Sequence, residues 1–433
     1  MLEYLAYGKM ISLRDKIEPL PRAKGITDRL VAVAFGGRFM DELLSGLPVV
    51  LMPTLRTYFG LSYSQVGLLG LTMSYVAAVV EPVAGLLIDI WKRRWLMAFG
   101  AAGIGLATVV MGIAPTFAIL LLGFALYGLA SGPLAHTADV VLVEAYPKAP
   151  DRIFTRATVL DTIGALLSSL LVSVTIILRL EWRWLMVSLG ISSLIYAAII
   201  VTTRFPSRQN ESQPARGGSG HAVWANLRSV IKSKRALSWL LFMFVFAVAE
   251  APFTFLTIWL REEAGMSQAL IGLYIAVEMA VSIISLIYLD RWLARSNFRR
   301  ILLFAGVGVL ILYPLWLLAP GIILRFALSI PIVFLFTVFW PIGRAQSLRS
   351  VPGLGGTVTA FQSLLALVPL PLLFGLLAES TSLTSAMFWV TMASVLVLIL
   401  VSYLIPTRMP EAEIGLSAEG QDLANGKQDE PVD

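Results

Sequence analysis

The stretch GLLIDIWKRRWLM (residues 85–97) decides how this chain folds. Asp89, Lys92, Arg93 and Arg94 lie within six positions of it, and a long apolar segment adjoins the stretch on each side. Of the 433 residues, 58% are hydrophobic and 14% are charged, whereas a soluble protein carries roughly 25% charged residues. Such a chain has too little polar surface to cover a globule in water. It is therefore expected to be a membrane protein, with the charged stretch as a loop between two spans.

Twelve apolar segments are long enough to cross a bilayer, because a transmembrane helix needs about 20 mostly apolar residues. The sequence predicts an all-α membrane protein with twelve transmembrane helices. These span residues 30–53, 64–88, 95–114, 117–143, 157–178, 184–203, 238–260, 268–289, 300–319, 322–343, 355–378 and 384–405.

The basic residues are distributed unequally between the two sides of the membrane. If the N-terminus is cytoplasmic, 27 of the 33 Lys and Arg residues lie on the cytoplasmic side, five lie outside and Arg38 lies within a span. This bias follows the positive-inside rule. We therefore expect an integral protein of the cytoplasmic (plasma) membrane with both termini in the cytoplasm. The net charge of +6 reports topology, and no nucleic-acid partner is expected.

The spans divide into two six-helix halves on either side of a polar linker. FGLSYSQVGLL (59–69) and AGMSQALIGLY (264–274) open spans two and eight with the same pattern of glycine and serine, as expected for pseudo-symmetric halves. The matched residues are Gly60, Ser62 and Gly67 with Gly265, Ser267 and Gly272, and Asp89 with Asp290 further on. The predicted domains are a cytoplasmic segment (1–29), the first half (30–203), a linker (204–237), the second half (238–405) and a disordered acidic tail (406–433). Within the linker, residues 223–231 have the apolar stripe of a membrane-surface helix, although a disordered linker remains open.

The residue types needed for several other functions are missing from the sequence. The chain has no cysteine and only two histidines, so no metal site, disulfide framework or thiol chemistry is expected. A membrane-embedded lipid or prenyl transferase, the alternative from another class, needs clustered acids for metal-bound phosphates, and the sequence contains no such cluster. No cofactor is expected, and the chain is not expected to be an enzyme.

Charged residues at mid-membrane are costly and mark function by default. Arg38 precedes Asp41 and Glu42 by three and four residues, so it is expected to pair along the helix with one of them. Glu250 and Glu278 have no basic residue in their own spans, and hydrogen bonding within the bundle is the structural alternative for both. The predicted substrate and proton cavity contains Arg38, Asp41, Glu42, Glu81, Glu250 and Glu278. This excess of acids suits a cation, a neutral amphiphile or protons. His136 and Asp139, three apart in span four, form either a proton relay or a structural pair.

The loop between spans two and three resembles the signature loop of the major facilitator superfamily. Gly85, Asp89 and Arg93 match its pattern Gly-x-x-x-Asp-x-x-Gly-Arg-x-Arg, whereas Lys92 replaces a glycine. A weaker resemblance, over residues 37–69, is to fosmidomycin-resistance-like and other drug-efflux members. The family resemblance implies a secondary transporter that works by alternating access, with a cytoplasmic gate; membrane anchoring is the simpler interpretation of the basic residues. The candidate gate residues are Gly85, Asp89, Lys92, Arg93, Arg94, Glu144, Arg152, Arg156, Asp290 and Arg291.

Two positions depart from the drug/proton antiporters of that family. Phe124 occupies the place of the span-four arginine, and Ser168-Ser169 that of the Gly-Pro of span five. The expected function is ion-coupled efflux of a cationic or neutral amphiphile by a monomeric antiporter, with protons or sodium as the coupling ion. A facilitative or sodium-coupled uptake carrier remains the alternative.

Overall fold

A computed structural model describes the chain at residues 26–90, 92–146, 150–205, 228, 230–293, 296–350, 358, 362 and 367–405. Side chains at 81–90, 150–152, 154, 155, 290, 291, 348 and 349 fall outside the description. The helices are α1 (Asp28–Phe59), α2 (Tyr63–Ile90), α3 (Arg93–Ile113), α4 (Phe117–Ala145), α5 (Pro150–Ile177), α6 (Trp182–Thr202), α7 (Lys234–Glu250), α8 (Phe253–Glu262), α9 (Gln268–Leu293), α10 (Phe298–Leu317), α11 (Ile322–Phe336), α12 (Phe339–Arg349), α13 (Leu370–Ser380) and α14 (Leu383–Leu404).

These helices agree with the twelve predicted spans. Within the described residues, ten spans are long and apolar enough to qualify by composition alone, with α7 and α8 forming one of them and α11 and α12 another. Span one is α1, in which Arg38, Asp41 and Glu42 lower the hydropathy. Span eleven contains the short apolar helix α13. Most of the linker, including part of the predicted surface helix, and the acidic tail lie outside the described residues, as does the N-terminal segment up to residue 25.

The regular helical hydrogen bonding of spans seven and ten is disturbed near the middle of each. In span seven this occurs at Ala251 and Pro252, because proline has no backbone N–H, yet both residues keep right-handed helical dihedrals. In span ten it occurs at Thr337 and Val338, which also keep helical dihedrals. Each span therefore continues as one helix through the disturbed point.

The internal repeat predicted from the sequence is visible in the backbone. Gly60 and Gly265 both adopt left-handed conformations, with φ of 64° and 66°, which favours glycine. Ser62 then accepts a hydrogen bond from the backbone of Gln65 (3.2 Å), and Ser267 accepts one from Leu270 (3.3 Å). The two halves therefore begin their second helices with the same turn and the same N-cap.

The two halves pack closely on the side of the bundle opposite the start of α1 and the end of α14, here called the far side. There α2 lies against α13 and α5 against α9, an arrangement related by the internal repeat. A Cβ added at Gly67 would lie 2.8 Å from the Cα of Leu372, and one added at Gly272 would lie 2.7 Å from the carbonyl oxygen of Ser169. The matched glycines thus allow backbones of opposite halves to touch.

Hydrogen bonds between the halves reinforce this contact. The amide of Gln268 donates to the carbonyl of Val50 (2.6 Å), and Thr257 donates to the carbonyl of Val49 (3.1 Å). Nearer the surface, Arg56 forms an ion pair with Glu262. The far side of the bundle is therefore closed.

Candidate functional site

Arg38 lies at the centre of a charged cluster within the first half. Its Nε and Nη2 atoms donate to the two carboxylate oxygens of Asp161 at 3.2 and 2.5 Å. Its Nη1 atom lies 3.5 Å from Asp139. The expectation that Arg38 pairs with Asp41 or Glu42 along its own helix was therefore wrong, because carboxylates on α5 and α4 occupy its donors.

Close packing of α1 on α5 brings Arg38 and Asp161 together. A Cβ at Gly164 would lie 3.1 Å from the backbone nitrogen of Leu43, and one at Gly46 would lie 3.0 Å from the Cβ of Ser168. Small residues therefore let the two helices approach closely just beside the ion pair. Since Asp161 is only 8% exposed, the pair lies in the interior of the first half.

Asp41 and Glu42 accept hydrogen bonds from hydroxyl groups and form no ion pair with Arg38. The hydroxyls of Tyr127 and Ser131, both on α4, each donate to the Asp41 carboxylate at 3.0 Å. Glu42 accepts a hydrogen bond of 3.4 Å from Ser45, one turn further along α1. These two carboxyl groups therefore rely on hydroxyl groups, whereas Asp139 and Asp161 bind the arginine.

The proposed relay residues His136 and Asp139 belong to the same cluster. Asp139 lies 3.5 Å from Arg38, and His136 precedes it by three residues on α4. Its Oδ1 atom is buried and accepts no hydrogen bond within the described part of the chain. The relay residues thus extend the Arg38 cluster, and one carboxylate oxygen in it is free to accept a donor.

The acids of the second half differ in exposure. Glu278 is 6% exposed and lines a pocket formed by residues of the second half, including Pro252, Tyr274 and Trp316. Glu250 lies at the C-terminal end of α7 and is exposed. One cavity that gathers acids from both halves stays a prediction.

The matching family model extends over most of the fold. The description "Major Facilitator Superfamily" applies to residues 34–370. The chain belongs to this superfamily. It is a transporter that is integral to the membrane, and it is not an enzyme.

Other matches are more distant. A fosmidomycin resistance protein of Escherichia coli (strain K12) is 26% identical over 92 residues, which are 21% of this chain and 23% of that protein. The chain thus matches about a quarter of the length of this curated relative. Among solved structures, a bacterial homologue of the human lysosomal transporter Spinster, in an inward-facing and unoccupied conformation, is 16% identical with a TM-score of 0.69, covering 88% of this chain and 96% of that one. A mutant of the nucleoside transporter NupG is 14% identical with a TM-score of 0.72, covering 87% and 99%. These structural likenesses show the fold.

The superfamily's signature loop is only partly described. Arg93, at the start of α3, forms an ion pair with Glu144 at the end of α4. Arg94 lies over the ring of Trp95 at 5.3 Å, whereas Lys92 is exposed and Arg156 is half-buried. The other candidates have side chains outside the described residues: Glu81, Gly85, Asp89, Arg152, Asp290 and Arg291.

Asp161 is the principal site residue that sequence reasoning missed. It lies 123 positions after Arg38, so helical spacing gives no hint of the pair. A signal was nevertheless present, because Asp161 is an acid inside a predicted span. Applying the rule for mid-membrane charges to every span would have included it.

Proposed function

We propose that this chain is a secondary transporter that exports a cationic or neutral amphiphile in exchange for protons by alternating access. The observation that carries this proposal is the Arg38 cluster, in which one arginine lies among four acids. Arg38 binds Asp139 and Asp161, and Asp41 and Glu42 remain without an ion-pair partner among the described residues. Buried ionisable groups of this kind mark ion pathways in transporters.

Exchange follows from competition for the same carboxyl groups. A proton bound to Asp41 or Glu42 removes one negative charge from the cluster, and a monovalent cationic substrate compensates one negative charge equally well. The two occupants therefore exclude each other. Arg38 binds Asp139 and Asp161 and holds them in place, so that binding and release concentrate on Asp41 and Glu42.

Alternating access is supported by the contacts between the halves. The far side is closed by glycine crossings and hydrogen bonds that a rocking motion of two rigid halves can break. With the termini in the cytoplasm, as the charge bias favours, the far side faces outward and the chain is closed to the outside. Efflux is in keeping with the resistance named for the relative from Escherichia coli.

The proposal is tested in proteoliposomes loaded with ethidium, a fluorescent monovalent cation, with and without an imposed pH gradient. Wild type is expected to move ethidium in response to the gradient. Asp41→Asn and Glu42→Gln are expected to lose that response while downhill exchange remains. Glu263→Gln, which changes an exposed acid, is the control. Wild-type transport that ignores the gradient, or two mutants that follow it fully, would reject proton exchange.

The orientation is tested separately with cysteine labelling. The chain has no cysteine, so single substitutions need no altered background. An impermeant maleimide added to intact cells is expected to label Ser380→Cys, at the far side, but not Ser233→Cys. Labelling of Ser380→Cys only after permeabilisation would reverse the assignment of the two sides.

A further inference from the structure

The Tyr127 hydroxyl contacts two acceptors that belong to one residue. It lies 2.6 Å from the backbone carbonyl oxygen of Asp41 and 3.0 Å from Oδ1 of the Asp41 carboxyl group. A tyrosine hydroxyl carries a single hydrogen, so it donates fully to only one of these oxygens at a time. The other carboxyl oxygen, Oδ2, has its own donor in the Ser131 hydroxyl at 3.0 Å. These three acceptors are therefore one hydrogen short whenever Asp41 is ionised.

Packing holds the Tyr127 ring in this position. Its side chain is only 1% exposed, and it lies on α4, which packs against both α1 and α2. At the next residue, Gly128, an added Cβ would overlap the carbonyl oxygen of Met73 on α2. Because protein interiors are close-packed, the ring has no space in which to turn away from Asp41. The hydroxyl hydrogen, by contrast, can rotate between its two acceptors.

A proton on Asp41 supplies the missing hydrogen. If Oδ1 carries this proton, the carboxyl group donates to the Tyr127 oxygen, and Tyr127 donates to the Asp41 carbonyl at the shorter distance of 2.6 Å. When the proton leaves, the Tyr127 hydrogen must turn to Oδ1, because a buried carboxylate oxygen without a donor is costly. The carbonyl then loses its bond from Tyr127. The proton state of Asp41 thus decides which bond Tyr127 makes to α1.

The other titratable groups near Asp41 have different partners. The guanidinium of Arg38 binds carboxylates on α4 and α5. Glu42 accepts a longer hydrogen bond of 3.4 Å, from a hydroxyl on its own helix. The two-acceptor arrangement at Tyr127 is therefore specific to Asp41. The surrounding groups are Arg38 and Glu42 on α1, His136 and Asp139 on α4, Asp161 on α5, and Tyr196 on α6, which donates to the carbonyl of Val33.

The same helix also takes part in closing the far side. The carbonyls of Val49 and Val50 on α1 accept hydrogen bonds from Thr257 and Gln268 of the opposite half. These carbonyls follow Asp41 by roughly two helical turns. A change in how α1 is bonded at Asp41 therefore acts on the helix that carries the contacts between the halves.

We propose that Asp41 is the residue that takes up the exchanged proton, and that Tyr127 is its positioning residue, a hydroxyl switch that passes the proton state of Asp41 to the backbone of α1. This inference rests on the proposed function and names the group in the Arg38 cluster that holds the proton. The proton binds Oδ1 of Asp41 and leaves from the same atom, while Tyr127 keeps its own proton throughout.

The test uses infrared difference spectroscopy of the purified full-length protein, which records the C=O stretch of protonated carboxyl groups as the pH is changed. Wild type is expected to show a carboxyl component that is absent from Asp41→Asn and present in Glu42→Gln. Tyr127→Phe is expected to keep this component but to move it to higher frequency, because the protonated carboxyl group loses its acceptor. Tyr75→Phe, which removes the hydroxyl of an exposed tyrosine, is the control and should leave the component in place.

Two outcomes overturn the proposal: no carboxyl component that Asp41→Asn removes, or a component that Tyr127→Phe leaves at its wild-type frequency. If Tyr127→Phe does not fold, wild type with ring-deuterated tyrosine decides the matter. A tyrosine C–O band must then change together with the carboxyl component, and this change must be absent from Asp41→Asn.

Gradient-driven ethidium transport, measured on the same preparations, separates this proposal from the proposed function. Transport that follows the gradient without an Asp41 component rejects the assignment to Asp41 and Tyr127 alone. Both spectral results without a response to the gradient reject proton exchange alone.

Discussion

The two halves of this transporter share a scaffold but differ in how they treat buried charge. In the first half, Arg38 binds Asp139 and Asp161 on neighbouring helices. In the second half, Glu278 is buried in a pocket whose described lining includes no basic side chain. The turns at Gly60 and Gly265 are nevertheless alike. The halves thus share the turns and the helix crossings at their junction, whereas the buried charges inside each half are arranged differently.

The largest expected loss of folding stability comes from replacing Arg38. Arg38→Gln leaves the carboxylates of Asp139 and Asp161 unpaired, and breaking a buried pair costs about 3–5 kcal/mol of folding free energy. The lower end applies here, because 23% of the Arg38 side chain is exposed. Glu278→Gln, which breaks no ion pair among the described residues, is expected to change the thermal stability in detergent far less. Equal losses of stability in the two variants would contradict the proposed difference in buried charge between the halves.

A second substitution tests whether the loss of stability in Arg38→Gln comes from an unpaired charge. The double variant Arg38→Gln with Asp161→Asn removes one charge of each sign and is expected to recover part of the stability that Arg38→Gln loses. A double variant no more stable than Arg38→Gln alone would show that packing, and not charge, dominates this site.

A smaller effect, equal in both halves, is expected at the glycine crossings. Gly67→Val and Gly272→Val place side-chain atoms where opposite backbones meet, so each should disfavour closure of the far side. Spin labels at Thr57→Cys and Ser380→Cys lie in different halves. Double electron–electron resonance between them is expected to show a longer distance when closure of the far side is disfavoured. Gly70→Val, where an added Cβ finds its nearest neighbour at an ordinary 3.5 Å, is the control. If only one of the two valine variants lengthens the spin-label distance, the two glycine crossings are not equivalent in closing the far side.

Removing the ion pair at the far side is expected to affect closure less than the glycine substitutions do. Glu262 binds Arg56 and accepts a hydrogen bond of 2.8 Å from Tyr63. Partly exposed pairs contribute about 0–1 kcal/mol, so Glu262→Gln should shift the spin-label distances only slightly toward the open state. Glu263→Gln is the matched control. A shift as large as that of Gly67→Val would assign closure to charge instead of packing.

The smallest effect concerns Glu379, an exposed residue just beyond the predicted end of span eleven. The backbone N–H of Ser64, in the opposite half, donates to its carboxylate at 2.8 Å and lowers the pKa of Glu379 below its usual range. Because this bond exists only when the far side is closed, closure is favoured at neutral pH. That contribution is lost as the pH falls through the lowered pKa, below about 4.3, the ordinary value for Glu. Spin-label distances should lengthen slightly on acidification in wild type but not in Glu379→Gln.

Sequence reasoning was most successful where one segment carries its own signal. The length of the apolar segments predicted the spans, and the match of Gly60 with Gly265 predicted the repeat, which their left-handed backbone angles share. The partner of Arg38 could not be predicted in this way, because helical spacing ranks Asp41 and Glu42 above a residue on another helix. The Glu278 pocket was equally hidden, since five spans build it and no single segment shows which of its faces turns inward.

The symmetry-related spans one and seven respond differently to their internal prolines. Span one is a regular helix of 32 residues, about 48 Å long at 1.5 Å per residue, despite two internal prolines. Span seven has stretches of 17 and 10 residues with regular helical hydrogen bonding on either side of Ala251 and Pro252, which themselves keep helical dihedrals. Since bends in helices occur where proline removes a hydrogen bond, Pro252 is the point at which span seven can bend with the least loss of backbone bonding.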